Sequence, residues 1–133
     1  MKRFVTVRSL ILVFALLLNI IPVNATERPF AGNGTQLGSF TGFGKIQFLP
    51  DANDPNISHP AGEVTYVAAN GDRLPTIIED GSMDLRTGIA TGYMVFQNGT
   101  GRFAGASGKA AIVVEQNFIT GAYTFTLVGK INY

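Results

Sequence analysis

Apolar and polar residues alternate with a period of two along most of the chain after residue 25. The clearest case is the last segment, where Tyr123, Phe125 and Leu127 alternate with threonine and valine. Because successive side chains of a β-strand point to opposite faces, these three side chains are expected on one face. No stretch after residue 25 keeps the 3.6-residue period of an amphipathic helix. The pattern therefore predicts an all-β protein.

Short turn signals separate the predicted strands. Asn70-Gly71 and Asn98-Gly99 are dipeptides typical of tight hairpin turns, and Asp80-Gly81 and Thr87-Gly88 supply two more. A further turn is expected at 117–121, where a glycine ends the connection. Consecutive hairpins favour an antiparallel sheet. About eight short strands in one domain favour a small barrel, because closure removes exposed sheet edges.

Proline interrupts the alternation at two places. Pro75 lies within the predicted strand 73–79 and has no amide hydrogen for the ladder, so this strand is expected at a sheet edge or bulged at this point. Residues 50–60 carry three prolines and are expected to form an irregular loop. His59 falls in this loop, where a solvated side chain is the simplest interpretation. It is the only histidine, which excludes a metal site built on several imidazoles.

The same loop carries an oxygen-rich cluster that could in principle hold calcium. Its members are Asp51, Asn53, Asp54 and Asn56. The spacing departs from the EF-hand loop, since a proline occupies the fifth position and no glutamate occupies the twelfth. Turn formation by aspartate and asparagine around a proline is the simpler interpretation.

The first 25 residues have the organisation of a signal peptide. Basic residues near the start precede an apolar run over 10–21, and small residues lead to Ala25. The apolar run is shorter than the roughly 20 residues that a membrane-spanning helix requires. We therefore expect cleavage after Ala25, a single domain over 26–133, and a secreted or periplasmic protein without stable membrane insertion.

Composition narrows the chemistry further. The chain has 133 residues and no cysteine, which excludes disulfides, thiolate metal sites and thiol catalysis. Without the three basic residues of the leader, seven basic residues oppose nine acidic ones, and the net charge falls from +1 to −2. The seven are scattered singly, whereas binding to nucleic acid needs clustered lysine and arginine. Nucleic acid is therefore not an expected partner, and the sequence indicates neither a metal nor another cofactor.

The most distinctive segment is the glycine-rich loop 99–108, with the sequence GTGRFAGASG. Together with the strand that follows it and the segment 123–129, it resembles the C-terminal part of the allene oxide cyclase-like barrels, a group similar to the plant dirigent proteins. Residues 34–41 and 68–72 look like segments of uncharacterised exported bacterial proteins that carry the same loop.

The resemblance implies an eight-stranded antiparallel barrel with one end plugged by Phe103. The loop glycines would let the chain fold tightly beneath that ring. These structural glycines are Gly99, Gly101, Gly105 and Gly108. The cyclase activity of the plant enzymes is not implied, because the chain has no cysteine to line the cavity and no match to their early acidic motif.

Five aromatic side chains within predicted strands are candidates to line a pocket for a small apolar ligand. They are Tyr66, Tyr93, Phe96, Tyr123 and Phe125. A packed core is the favoured interpretation of these side chains, although an eight-stranded barrel is just wide enough either to be filled by side chains or to hold one small ligand. A ligand of ordinary size requires a pocket of about 300 Å³ or more. The leading hypothesis is a non-enzymatic exported protein that binds such a ligand.

Two other functions stay open. A cyclase- or isomerase-like enzyme is motivated only by the resemblance of the glycine-rich loop, and it requires a buried ionisable group such as Glu63, Glu79 or Glu115 in a cavity. An envelope or extracellular interaction protein would form a homo-oligomer through the proline-bearing edge or through an outer barrel face.

Overall fold

The computed structural model describes residues 4–7, 14–15, 26–34 and 37–133. Their secondary structure is β, apart from turns and one short 3₁₀ segment at Gly101–Phe103. The strands are β1 (Phe4–Val7), β2 (Phe14–Ala15), β3 (Thr26–Gly34), β4 (Gly38–Pro50), β5 (Ile57–Ala68), β6 (Arg73–Asp84), β7 (Ile89–Phe96), β8 (Ser107–Gln116) and β9 (Ala122–Asn132). No helix among these residues is long and apolar enough to cross a membrane. The predicted all-β class is confirmed, whereas the predicted cleavage site after Ala25 lies outside the described residues.

Each strand from β4 to β9 pairs antiparallel with the next strand along the chain. Over residues 37–133 these six strands form a sheet that is curled into a half-barrel. β3 pairs with the far side of β4, and β1 and β2 pair with β9. The predicted antiparallel hairpin order is therefore confirmed for the half-barrel, while closure into a barrel of about eight strands stays a prediction.

The inner face of the half-barrel carries the hydrophobic core. Alternate residues of each strand point inward, as on β9, where Phe125 and Leu127 are buried and the intervening Thr126 is exposed. Fully burying a side chain of this size contributes about 1.5–3 kcal/mol. The core residues are Leu37, Phe40, Val64, Tyr66, Ala68, Leu74, Met94, Phe96, Phe103, Ala106, Ala110, Phe125, Leu127 and Ile131.

β6 contains one residue more than its neighbours at Asp80 and Gly81. The pairing register shifts by one residue at this position on both sides of the strand, against β5 and against β7. Asp80 adopts a left-handed backbone with φ of 53°. A Cβ atom at Gly81 would collide with the backbone oxygen of Pro60. The pair therefore forms a β-bulge in a continuous strand, and the predicted turn followed by a new strand at 82–86 is wrong.

Two expectations about prolines are also corrected. β6 lies between β5 and β7, so Pro75 is not on an edge strand. The Pro75 carbonyl accepts a hydrogen bond from the Gln97 amide at 2.9 Å. Gln97 lies just beyond the last residue of β7, so the amide hydrogen that proline lacks interrupts no pair between β6 and β7. Residues 57–60 belong to β5, which limits the loop to 51–56 and places His59 in a strand.

The hairpin connections lie at two ends of the half-barrel. The connections 51–56, 85–88 and 117–121 share one end, which we call the open end. The connections 69–72 and 97–106 share the opposite end, which we call the plugged end. A meander of antiparallel strands alternates its connections between the two ends, so segments distant in sequence become neighbours at each of them.

Candidate functional site

The structure brings four of the five predicted aromatic residues to the inner side of the sheet. Tyr66, Phe96 and Phe125 are buried in the core, and Tyr123 is half-buried against it. Tyr93 lies on the outer face with 39% of its surface exposed. The expectation for Tyr93 is wrong because it lies three residues before Phe96 on β7, and residues three apart in a strand face opposite sides.

Tyr93 takes part in a surface contact instead. The Nζ atom of Lys109 lies 4.6 Å from the centroid of the Tyr93 ring, which is a cation–π contact across β7 and β8. The same ammonium group lies 3.3 Å from a carboxylate oxygen of Glu79. Tyr93 therefore contributes to the outer surface and not to a ligand pocket.

Two apolar cavities lie within the half-barrel. The first has a volume of about 90 Å³, and the second has a volume of about 110 Å³. The first is lined by Gly44, Ile46, Val64, Tyr66, Met94, Ile112, Val114, Tyr123 and Phe125. The second is lined by Ile46, Phe48, Pro60, Ile78, Gly81, Ala90, Thr91, Gly92, Met94, Ile112 and Val114. Four side chains border both cavities, so the two spaces are adjacent.

The size of these cavities decides what the interior can hold. Neither reaches the roughly 300 Å³ of an ordinary small-molecule pocket, so the expected ligand of that size does not fit this interior. An apolar cavity of about 150 Å³ is sufficient for benzene or xenon. Each cavity alone is smaller than this, so only the two adjacent cavities together suit a molecule of about one ring.

The chemistry of the interior is that of a shape-selective apolar site. Among the described residues, no aspartate, glutamate, lysine, arginine or histidine lines either cavity. Burial raises the pKa of Tyr66, so its phenol stays protonated at physiological pH. The Thr76 hydroxyl is also buried and donates a hydrogen bond to the backbone oxygen of Val64 at 2.7 Å. Such a lining can bind by burial and dispersion but offers no general acid or base.

The carboxylates that an enzyme would require lie outside. Glu63, Glu79 and Glu115 are all exposed on the outer face of the sheet. Their exposure removes the buried ionisable groups on which the cyclase- or isomerase-like hypothesis depended.

The plugged end is built by the glycine-rich loop. Phe103 is 1% exposed and belongs to the core cluster. Its ring meets the ring of Tyr133, and the guanidinium of Arg102 lies over its face at 4.8 Å from the centroid. Arg102 also donates to the backbone oxygen of Leu37 at 3.3 Å. These contacts hold Phe103 at this end of the inner space.

The conformation and the contacts of the backbone explain why this loop contains glycines. Gly101, Gly105 and Gly108 have positive φ, a conformation that side chains disfavour. Gly99 has a different reason, because a Cβ atom there would collide with the Arg73 backbone oxygen. The side chain of Thr100 accepts a hydrogen bond from the Arg73 amide at 2.9 Å, which ties the loop to β6.

The open end carries a polar cluster around His59. The Nε2 atom of His59 lies 2.7 Å from Oδ1 of Asp51, and its Nδ1 atom lies 2.9 Å from the backbone oxygen of Gly81. The hydrogen bond to Asp51, followed by the bond to Gly81, raises the pKa of His59. The same bond to His59, followed by the amides of Asn53 and Asp54, lowers the pKa of Asp51. His59 is therefore anchored on both sides and is not a freely solvated loop residue.

The oxygen-rich loop uses its carboxylates for its own backbone. Asp51 Oδ2 accepts hydrogen bonds from the amides of Asn53 and Asp54, each at 2.9 Å. Asp54 Oδ1 accepts a hydrogen bond from the Asn56 amide at 2.9 Å. Within the described part of the chain, no group of three or more acidic or histidine side chains could hold a metal ion. Turn formation accounts for this cluster.

The remaining feature of the open end is a cleft of about 720 Å³ along the β8–β9 turn. Phe118 and Ile119 at this turn are 53% and 96% exposed. Tyr123 borders both this cleft and the smaller inner cavity. The cleft therefore lies at the rim of the half-barrel, next to the interior.

Sequence reasoning missed several residues that shape the interior. Ile112 and Val114 border both cavities, and the same period-two alternation that identified Phe125 would have found them. Met94 also borders both, and its parity with Phe96 on β7 is the corresponding signal. The contact between His59 and Gly81 joins residues of different strands, so no local pattern reveals it.

No protein-family model matches the chain, and no curated protein matches it. A functional assignment therefore depends on the chemistry of the chain's own residues.

Proposed function

We propose that the protein is a non-enzymatic, exported β-barrel protein that binds a small apolar molecule inside the barrel. The observation that carries the proposal is the pair of adjacent apolar cavities on the inner face, bordered jointly by Ile46, Met94, Ile112 and Val114. Their volumes of about 90 and 110 Å³, taken together, limit the ligand to about one aromatic ring or a short alkyl chain that spans both cavities.

The proposal also includes the removal of the leader and the closure of the sheet into a barrel. The exported form begins after Ala25 and closes into a barrel of about eight strands of the allene oxide cyclase-like kind. Two features support closure: the sheet already curls into a half-barrel, and the glycine-rich loop fills one end with Phe103. Mass spectrometry of the exported protein tests the cleavage. The mass of a chain that begins at Thr26 is expected, and the mass of a chain that keeps the leader would contradict the proposal.

Weak binding is expected from a ligand of this size. The best tiny ligands reach about 1.5 kcal/mol of binding free energy per non-hydrogen atom, and most reach much less. Burial of apolar surface contributes about 25 cal/mol per Å² removed from water. Without a charged group in the cavities, specificity comes from the fit of the ligand, and Met94 is the most adaptable of the four shared side chains.

A titration with benzene or xenon, followed by NMR of the folded protein, tests the proposal. Saturable shifts are expected for residues that border the cavities, such as Ile112 and Val114. The variant Val114→Phe fills the space and is expected to abolish these shifts. Val113→Phe is the matched control, since Val113 is the next residue on β8 and lies on the outer face with 42% exposure. Unsaturable or uniformly scattered shifts in the wild type would contradict the proposal.

A second candidate is an interaction protein that uses the outer face of the sheet. Tyr93, Ala111 and Val128 are direct cross-strand neighbours on β7, β8 and β9. Tyr93 and Val128 are 39% and 51% exposed, so this face presents contiguous apolar surface. Light scattering over a range of concentrations tests self-association, with Val128→Lys as the disrupting variant. A monomer at every concentration would count against a homo-oligomer.

A further inference from the structure

The wall of the second cavity contains an interruption in the pairing register of the sheet. Between the pairs Ser58–Met83 and Glu63–Ile77, β5 and β6 have no residues in register. We call this interruption, formed by 59–62 of β5 and 78–82 of β6, the bulge gap. Pro60, Ile78 and Gly81 lie in the bulge gap and also line the cavity of about 110 Å³. The cavity therefore lies directly behind this interruption in the pairing of β5 with β6.

His59 connects the two sides of the bulge gap. It belongs to β5, and its Nδ1 atom lies 2.9 Å from the backbone oxygen of Gly81 on β6. Its Nε2 atom lies 2.7 Å from Asp51, which fixes the ring to the adjoining loop. Both partners are acceptors, so both ring nitrogens must carry a hydrogen to donate. Only the imidazolium form does so.

The charged surroundings also favour the imidazolium. The elements packed around His59 carry Asp51 and Asp54 on the loop and Asp80 and Asp84 on β6. β4 pairs with β5 opposite His59 and carries Lys45, which lies opposite Glu63 in the register. Arg86 in the β6–β7 turn pairs with Asp84 at 3.1 Å and with Asp54 at 3.5 Å. These five carboxylates therefore outnumber these two cations.

We infer that protonated His59 holds the bulge gap shut and that its deprotonation opens a side entrance to the apolar cavity. The ligand part of this inference rests on the proposed function, whereas the opening of the gap does not. The raised pKa of His59 supports the assignment of the imidazolium to the closed form.

Loss of the proton breaks one specific contact. A neutral imidazole carries a single N–H, and the carboxylate of Asp51 is a stronger acceptor than a backbone oxygen. The remaining hydrogen therefore stays on Nε2, and the lone pair of Nδ1 faces the Gly81 oxygen. Because β5 and β6 have no registered pairs at this position, we expect the two strands to separate at the bulge more often once this hydrogen bond is lost.

Amide hydrogen exchange tests the opening without any ligand. Protection factors, corrected for the intrinsic pH dependence of exchange, are measured at about pH 5.5 and about pH 9, on either side of the ordinary histidine pKa of about 6.5. Loss of one hydrogen bond of about 1 kcal/mol lowers protection about fivefold, and this loss is expected at Gly62, Gly81 and Ser82. Unchanged protection at these amides, with His59 shown by NMR to titrate in the same range, would overturn the inference.

Three variants separate His59 from other titrating groups. His59→Gln removes the titration, so its protection is expected to be independent of pH. Asp51→Asn removes the main stabiliser of the imidazolium, so the transition is expected at lower pH than in the wild type. Asp84→Asn is the comparison, because Asp84 pairs with Arg86 and makes no hydrogen bond to His59, so its transition is expected to shift less than that of Asp51→Asn. A His59→Gln protein that still loses protection at high pH refutes the role of His59.

Benzene exchange distinguishes the two proposals. In the wild type, the rates of benzene entry and exit, followed by NMR, are expected to rise about fivefold as His59 loses its proton, and to stay constant in His59→Gln. Failure of benzene to bind at either pH refutes the proposed function, while the protection factors still decide the opening of the bulge gap. Binding with pH-independent rates refutes the side entrance alone.

Discussion

The ring of Phe103 meets the ring of Tyr133 edge-on, with 5.5 Å between the ring centroids and 69° between the ring planes. Aromatic pairs prefer this arrangement, because the positive edge of one ring meets the negative face of the other. Arg102 adds a cation over Phe103, at 4.8 Å from the same ring. The arginine of the loop and the residue that follows β9 thus both contact one buried side chain.

Replacement of Phe103 tests this plug. Phe103→Ala is expected to lower the free energy of unfolding by about 3–5 kcal/mol, because it leaves a cavity in a site that is 1% exposed. Urea denaturation measures the change. Phe118→Ala is the control, since Phe118 is 53% exposed and its loss is expected to cost less than about 1 kcal/mol. Equal losses for the two variants would contradict the role of Phe103.

The loop glycines are expected to differ in their tolerance of alanine. Gly99→Ala places a methyl group against the Arg73 oxygen and the Phe103 Cβ, so a loss of about 3 kcal/mol is expected. The methyl group of Gly105→Ala meets no atom within 4 Å, so only the φ of 77° lowers the free energy of unfolding, by about 1 kcal/mol. Thermal denaturation of both variants checks the order. A lower stability for Gly105→Ala than for Gly99→Ala would show that the loop packs differently.

The pair formed by Asp51 and His59 is expected to make stability depend on pH in two directions. The pKa of His59 is raised, so its contribution is complete below the unfolded pKa of about 6.5 and is lost as the pH rises through the folded value. The pKa of Asp51 is lowered, so its contribution is present above the unfolded pKa of about 3.9 and is lost as the pH falls through the folded value.

Stability from this pair is therefore expected to be greatest between about pH 4 and about pH 6.5. Urea denaturation from acid to mildly alkaline pH measures the profile. In Asp51→Asn both contributions are expected to shrink, which flattens the profile within this range. A wild-type stability that rises steadily from pH 6 to pH 9 would contradict the assignment.

The buried hydroxyl of Thr76 gives a fourth test. Thr76→Val keeps the shape of the side chain but removes the donor that bonds the Val64 oxygen at 2.7 Å, so a loss of about 1 kcal/mol is expected. Thr126→Val is the matched control, because Thr126 is exposed on β9. Urea denaturation compares the two. A stabilised Thr76→Val protein would mean that the hydroxyl costs more to bury than its hydrogen bond returns.

The architecture was predictable where local chemistry decides the structure. Asn70-Gly71 and Asn98-Gly99 lie in connections between strands, as their turn chemistry indicated. Tyr66, Phe96 and Phe125 are inside because alternation along each strand determines the face. Tyr93 lies outside because its parity along β7 is opposite to that of Phe96, although its aromatic character favours the core.

The remaining differences involve contacts between strands. Asp80-Gly81 has the composition of a turn, but the same preference for positive φ suits a bulge, and only pairing with both neighbouring strands decides between them. His59 lies beside a proline-rich loop, yet its two partners come from Asp51 and Gly81. Cavity volume depends on the packing of six strands at once, so composition could not set the ligand size.

The extra residue at the bulge has an unusual consequence for deletions. Removing one residue from a strand normally reverses which side chains face inward beyond the cut. In β6 the register after the bulge is already offset by one residue against both neighbours. Deletion of Asp80 would therefore bring the whole strand into uniform register and leave Met83 opposite Ala90, still facing the core. A central strand of this protein can thus be shortened by one residue without changing which of its side chains face the core.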